Sequence, residues 1–350
     1  MATAPVSVLG LATAVPDHVL EQSAVADFAQ RIYAKAFARY PKLAEVFVNA
    51  GIERRYSVRP IDWFDQPLGW RERTQAYLDG AGALFARSAE KALKQAGIAA
   101  KDVDVIVTVS STGIATPSLE ARVGGALGLR ASAARVPVFG LGCAGGVSGL
   151  SIGARLARAA PGEVVLFVAV ELCTLAFRGD RCSKADVISS ALFGDGAAAA
   201  VLRVEREPAP LTVRAAAEHT WPGTLDIMGW SVDPAGFGVV LSRSLPRFVE
   251  QRLAVPVKRF IKNAKLTAPH LICHPGGAKV LDAVETALEL QKGTLRDERE
   301  VLRGHGNMSA PTVLFVLERA RRRGLRGEAV MSALGPGFTA SFLALKAAHG

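Results

Sequence analysis

Three short segments carry residue types that can do chemistry together. Cys143 sits in VFGLGCAGGVSGL (Val138–Leu150), a β-branched run, a tight turn, a thiol, glycines and then an Ala/Val/Leu stretch. That pattern puts the cysteine at a strand-to-helix elbow. The unpaired N–H groups of the following helix favour a thiolate there. Gly142, Gly145 and Gly146 let a substrate carbonyl approach the backbone, and the cysteine's own N–H becomes an oxyanion donor. The plainer alternative is a small apolar residue in a buried turn. His274, in LICHPGG, follows a strand where a turn begins, and Asn307, in GHGNMSAPT, lies in a glycine-rich loop entering a helix. Alone, the first reads as a structural histidine and the second as a helix cap. With Cys143 they make up nucleophile, imidazole and amide, the set needed to attack a thioester and stabilise what results. His18, His219, His270, His305 and His349 have no such setting and read as structural or surface residues.

The elements that must hold these residues alternate between short β-branched runs and longer Ala/Leu stretches. Val103–Val109, Val136–Phe139, Val164–Val170 and Ala197–Val204 predict strands, and Leu84–Ala96 and Gly146–Ala159 predict helices. The second half repeats the theme. His270–Cys273 and Ala329–Leu334 read as strands, and Gly277–Leu290 and Ala310–Arg322 as helices. Such alternation indicates an α/β protein with centrally buried sheets. ALFGDGAAAAVL (Ala191–Leu202) faintly echoes ALGPGFTASFLAL (Ala333–Leu345), as a duplicated chain would. The Pro-containing, charge-mixed stretch Glu205–Pro222 is the best boundary between halves. It divides the chain into 1–207, with the cysteine, and 208–350, with the histidine and the asparagine.

The composition narrows the class. Of 350 residues, 50% are hydrophobic and 21% charged, which excludes a disordered chain. The 34 glycines have no collagen period, and four cysteines without CxxC spacing suggest neither zinc nor a disulfide framework. No apolar run approaches the ~20 residues of a membrane helix, and Met1–Leu20 lacks a basic n-region and contains Pro5 and Pro16. The expectation is a cytoplasmic protein with free thiols and no membrane span. The net charge of +10 is dispersed, its densest run RARRRGLR (Arg319–Arg326) reading as a solvated helix C-terminus. Basic residues interleaved with stacking aromatics are absent, so a small anionic ligand fits better than nucleic acid.

At these residues the sequence resembles the type III polyketide synthases, the chalcone-synthase-like group of the thiolase superfamily. The matching segments are GCAGG, ELCTLAFRGD (Glu171–Asp180), ALFGDGAAAAV (Ala191–Val201), HPGG, GNMSAPTVLFVL and ALGPGFT (Ala333–Thr339), in family order over nearly the whole chain. Ketoacyl-carrier-protein synthase III shares the Cys-His-Asn logic but resembles HPGG and GNMS less well. A papain-like hydrolase would need a CGSCW-type signature that is missing. The resemblance implies a five-layer αβαβα thiolase fold in two similar halves, a homodimer, and no metal or tightly bound cofactor. It implies acyl-CoA and malonyl-CoA as substrates. Cys143 would take the acyl starter, and His274 and Asn307 would stabilise the enolate left by decarboxylation. Phe193 matches the aromatic gatekeeper between CoA tunnel and cavity.

Departures from the family pattern bear on the substrate. The second gatekeeper phenylalanine aligns near Leu241, with Val239 or Phe237 in its place if the register slips. Cys173 and Ala176 stand where plant-like members have threonines, and Trp230 adds bulk where the family has a small glycine. Ala176, Val239 and Leu241 imply an apolar cavity open to an alkyl chain, as in bacterial alkylresorcinol and alkylpyrone synthases. Trp230 would close the alternative direction. Ser111, Glu171 and Ser309 align with a polar trio that activates water for aldol closure, though each could equally be a hydrogen-bonded core residue. Aldol and lactone closure both stay open, as do aromatic and malonyl starters. Asn49 and Glu45 occupy positions where a basic residue is expected, which leaves Lys42 and Arg55 for the CoA phosphates or for an ordinary surface role.

Overall fold

A computed structural model describes residues 5–348. His349 and the first four residues of the Met1–Leu20 segment lie outside the described residues. The strands in chain order are β1 Val6–Ala14, β2 His18–Glu21, β3 Arg54–Ser57, β4 Val105–Val109, β5 Ala134–Val138, β6 Val165–Leu172 and β7 Asp195–Arg203 in the first half. The second half adds β8 Leu211–Thr220, β9 Met228–Asp233, β10 Gly236–Leu241, β11 His270–Cys273, β12 Gly327–Gly335 and β13 Thr339–Ala347.

Nine of these strands join in the order β11-β12-β13-β8-β1-β7-β6-β4-β5. Outward from the β1–β8 junction, both arms follow the same sequence of pairings. On one side β1–β7 and β7–β6 are antiparallel and β6–β4 is parallel. On the other, β8–β13 and β13–β12 are antiparallel and β12–β11 is parallel. The first half carries a further parallel strand, β5, beyond β4. The ladder that joins the two arms, β1–β8, is short, pairing Val6 with Val213 and Ser7 with Thr212.

Burial explains the layering. Val165–Leu172 and Asp195–Leu202 are buried at every position because helices cover both faces of the sheet. The helix Gly145–Ala159 and the helix Thr312–Arg322 share one apolar core with strands of both arms, through Val147, Leu150, Val313, Leu314, Phe167 and Met331. They form the middle layer. The helix Trp70–Ala96 packs on the outer face of the first arm through Tyr77, Leu84 and Phe85. Helices Leu245–Arg252, Ala254–Asn263 and Ala278–Ala287 cover the second arm through Val249, Phe260 and Leu281. The result is the five-layer αβαβα arrangement of a thiolase fold.

Three local readings need correction. The outer helix begins at Trp70 rather than near Leu84. Gly80 obscured its first half, yet a Cβ there would meet Val58 Cγ1 at 2.6 Å, so the glycine serves close packing against the sheet. Most of Glu205–Pro222 is not linker but β8, which pairs with β13 along nearly its full length. The repeat in sequence holds only from the glycine turn onward: Ala191 belongs to a helix, Lys184–Leu192, whereas Ala333 belongs to β12. The Arg319–Arg326 run does close a helix, with Arg319 and Arg323 both paired to Asp297.

Candidate active site

Cys143 lies in a single turn of 3-10 helix, Gly142–Ala144, that leads directly into Gly145–Ala159. The glycines there are forced by contact. A Cβ on Gly146 would stand 2.1 Å from the Ala310 carbonyl oxygen, and Gly142 has φ +48° and lies against Pro336 of the second half. His274 follows β11 directly, its backbone N–H donating to the Ser332 carbonyl at 2.8 Å. Asn307 is reached by a sharp turn at Gly306, and its side chain is held at both ends. Its Nδ2 donates to the Gly276 carbonyl at 3.1 Å, and its Oδ1 accepts from the Ser309 N–H at 2.8 Å. The asparagine loop is thereby fastened to the histidine loop.

These three side chains line one cavity of about 450 Å³. Its walls are largely apolar, with Ile188, Leu192, Met228, Val239, Val240 and Leu241 among them. Cys143 is half-buried. Enclosure pushes the thiol up to about 11, while the polar side chains of Ser309 and Asn307 pull it down. Burial pushes His274 down to about 3, and neither of its ring nitrogens has a partner. The thiolate expected from the helix N-terminus is therefore corrected: enclosure favours the neutral thiol and the neutral imidazole.

Of the other residues singled out in the sequence, Phe193, Cys173, Trp230, Val239, Leu241, Ser111, Ser309 and Lys42 also line the cavity. Trp230 and Val239 pair across the β9–β10 hairpin, as do Met228 and Leu241, so side chains from both strands point the same way. The Phe193 ring meets Trp230 edge-on at 6.2 Å. Cys173 and Phe193 also line a smaller apolar pocket of about 40 Å³, walled by Leu20, Val25, Phe28, Ile61, Phe64 and Phe177.

Four residues lie elsewhere. Phe237 packs against Trp70 and behind Trp230 rather than lining the cavity. Ala176 is buried outside the cavity wall, because its turn, Cys173–Ala176, presents Cys173 instead. Glu171 is fully buried behind Ser111, accepting from the Ser111 N–H at 2.9 Å and the Thr112 hydroxyl at 2.7 Å. Burial raises its carboxyl to about 8. Ser111, Glu171 and Ser309 therefore do not share one hydrogen-bonded chain: the Ser111 hydroxyl accepts from the Gly140 and Gly142 N–H groups, while Ser309 turns toward Cys143. Arg55 is 1% exposed and bonded to main-chain carbonyls, so it cannot be a phosphate contact at the cavity mouth. The cations that do line the cavity are Lys42, Arg243 and Lys279. Sequence reasoning missed the last two, although Arg243 closely follows Leu241 and Lys279 the HPGG segment, because isolated cations there read as surface residues. Among the described residues, no three His, Cys, Asp or Glu side chains cluster to hold a metal ion. No helix among them is long and apolar enough to cross a membrane.

A cysteine, an imidazole and an amide gathered on a duplicated αβαβα scaffold define a condensing enzyme of the thiolase fold. Comparison with known proteins narrows the class. Residues 1–206 match the N-terminal domain of chalcone and stilbene synthases, and residues 212–348 match the C-terminal domain. The chain is 37% identical to 1,3,6,8-tetrahydroxynaphthalene synthase of Streptomyces peucetius, covering 97% of this chain and 93% of that one. It is 31% identical to 3,5-dihydroxyphenylacetyl-CoA synthase of Amycolatopsis balhimycina, covering 94% and 90%. The crystal structure of 1,3,6,8-tetrahydroxynaphthalene synthase from Streptomyces coelicolor, a bacterial type III polyketide synthase, superposes with a TM-score of 0.93. That match covers 98% of this chain and 100% of the other at 28% identity. The chain belongs to the chalcone and stilbene synthase family and is a type III polyketide synthase.

Proposed function

We propose that this polyketide synthase takes a medium- or long-chain fatty acyl starter from its CoA thioester and extends it with malonyl-CoA. The extended chain is then released as an alkylpyrone or alkylresorcinol. The observation that carries the starter assignment is the largely apolar wall of the cavity that holds Cys143. An alkyl chain gains by leaving water for such a surface.

In this scheme the Cys143 thiol attacks the starter carbonyl as His274 accepts its proton. The sulfur–acyl bond forms and CoA leaves as its thiol. Malonyl-CoA then binds with its thioester carbonyl toward His274 and Asn307. The neutral imidazole offers an N–H and Asn307 an amide hydrogen, both aimed at the oxygen where negative charge develops as carbon dioxide departs. The enolate carbon attacks the Cys143-bound acyl carbon, a carbon–carbon bond forms, and the Cys143 sulfur leaves. Each cycle adds two carbons. The scheme calls for no metal or tightly bound cofactor.

Lys42, Arg243 and Lys279, which line the cavity, would meet the CoA phosphates, a role the net charge of +10 favours. The unpartnered outer side of β5, with Phe139 exposed beside it, supports a homodimer. We assign the protein to the cytoplasm on the substrates proposed. A second reading, with a malonyl or aromatic starter, is favoured by relatives named for polyhydroxylated aromatic products. Mass spectrometry of products across an acyl-CoA series, with malonyl-CoA as extender, separates the two. Alkyl-substituted pyrones or resorcinols are expected. Products built from malonyl-CoA alone, whatever acyl-CoA is added, would overturn the fatty-acyl reading.

A further inference from the structure

The arginine that misses the cavity mouth has another use. The C-terminal end of the helix Lys184–Leu192 leaves carbonyls without intrahelical partners, and the N-terminal segment satisfies them. Arg55 Nη1 donates to the Ser190 carbonyl at 2.8 Å and to the Phe193 carbonyl at 3.2 Å. Its Nη2 donates to Gln22 Oε1. Gln22 Nε2 in turn donates to the carbonyls of Ala191, at 3.1 Å, and Phe47, at 3.0 Å. The remaining carbonyl, that of Leu192, accepts from the Asn307 N–H at 2.8 Å. The guanidinium is fully buried and no carboxylate pairs with it within salt-bridge distance among the described residues. A charge buried on main-chain carbonyls is held by geometry, and removing a partner leaves the rest unsatisfied.

What this arrangement holds is the one aromatic side chain common to both pockets. We infer that Arg55 and Gln22 are positioning residues: through the carbonyls of Ser190, Ala191 and Phe193 they fix where the Phe193 ring stands between the reaction cavity and the apolar pocket beyond it, and so which starter lengths are accepted. The inference rests on the condensing reaction with an acyl starter proposed above. Neither residue touches substrate in this scheme; both act through the Phe193 backbone.

The test compares Gln22→Met and Arg55→Lys with the unaltered enzyme, each quantified by iodoacetamide-titratable Cys143. The readout is the ratio of kcat/KM for a dodecanoyl-CoA starter to that for a butanoyl-CoA starter, which a smaller folded fraction does not change. Both variants should shift this ratio about tenfold in the same direction, as expected for losing one hydrogen bond to a charged group. An unchanged ratio in both overturns the proposal, as does failure of both to fold, which would make the network a folding element only. If the unaltered enzyme extends no acyl-CoA at all, the underlying starter reading fails instead, so the two failures are distinguishable.

Discussion

The indole Nε1 of Trp230 donates to the backbone carbonyl of Ser111 at 2.8 Å. This single bond ties the β9–β10 hairpin, which supplies the cavity's apolar wall, to the loop after β4. That loop is itself fastened to the cysteine turn through the Ser111 hydroxyl and the Gly142 N–H. The hairpin's far side is held by Trp70, whose Nε1 donates to the Asp233 carbonyl at 2.8 Å, and by Arg178 on the Asp233 carboxylate at 3.0 Å.

Replacing Trp230 should therefore change what fits before it changes chemistry. Trp230→Leu removes the Ser111 bond and the edge contact with Phe193. The expected outcome is a product spectrum shifted to longer alkyl chains, read by mass spectrometry, with about 2 kcal/mol of stability lost for a half-buried indole. A spectrum that keeps its length distribution would mean that the indole does not bound the cavity.

His274→Ala should slow alkylation of Cys143. In the scheme proposed above, the enclosed Cys143 thiol, pushed up to about 11, reacts near neutral pH by passing its proton to His274. Iodoacetamide labelling at pH 7 should fall by at least about tenfold, and the variant's pH–rate curve should lie to the alkaline side of the parent's. Equal rates at pH 7 would remove His274 from the role of proton acceptor.

Glu171 makes stability depend on pH in a stated direction. Its carboxyl is raised to about 8 when folded, whereas the unfolded chain titrates near the ordinary value of about 4.3. The folded state thus keeps a proton that the unfolded chain releases. The contribution is fully present below the unfolded value and is lost as pH rises through the folded one. Thermal melts between pH 5 and 9 should show Tm falling more steeply for the parent than for Glu171→Gln. Parallel curves would show that Glu171 is ionised in the fold.

At the cavity mouth, Arg243→Glu with Lys279→Glu should raise KM for malonyl-CoA about tenfold or more, and added salt should narrow the difference from the parent. kcat should stay within about twofold, because uniform binding is what is lost. A salt-independent loss in kcat would place these cations in another role.

The residues proposed for catalysis were legible because each sits beside glycines just past the end of an element, Cys143 and His274 after strands and Asn307 after a helix, a local pattern that needs no knowledge of the fold. Val165–Leu172 and Asp195–Arg203 were legible for a similar reason, being apolar enough to require cover on both faces. β8 was not. Its Arg214, Glu218 and His219 look like linker, and only the ladder to β13 makes it a strand. Arg55 misled because an arginine beside another arginine reads as surface, while the open end of the helix Lys184–Leu192 is what draws it inside. Arg243 and Lys279 were overlooked although they closely follow Leu241 and His274: isolated cations read as surface, and only the fold shows that these line the cavity.

Gly146 lies against Ala310 with no space for a methyl group between them. The helix behind the thiol and the loop carrying the amide are thus joined backbone to backbone, like a hinge with its pin driven home. The hairpin that shapes the pocket is held instead by side-chain hydrogen bonds and ring packing. Divergence among such enzymes then has an easy direction: substitutions can accumulate on the hairpin and redraw the accepted substrate, while at Gly146 a single added methyl group would force the two supports apart, so that position keeps its glycine.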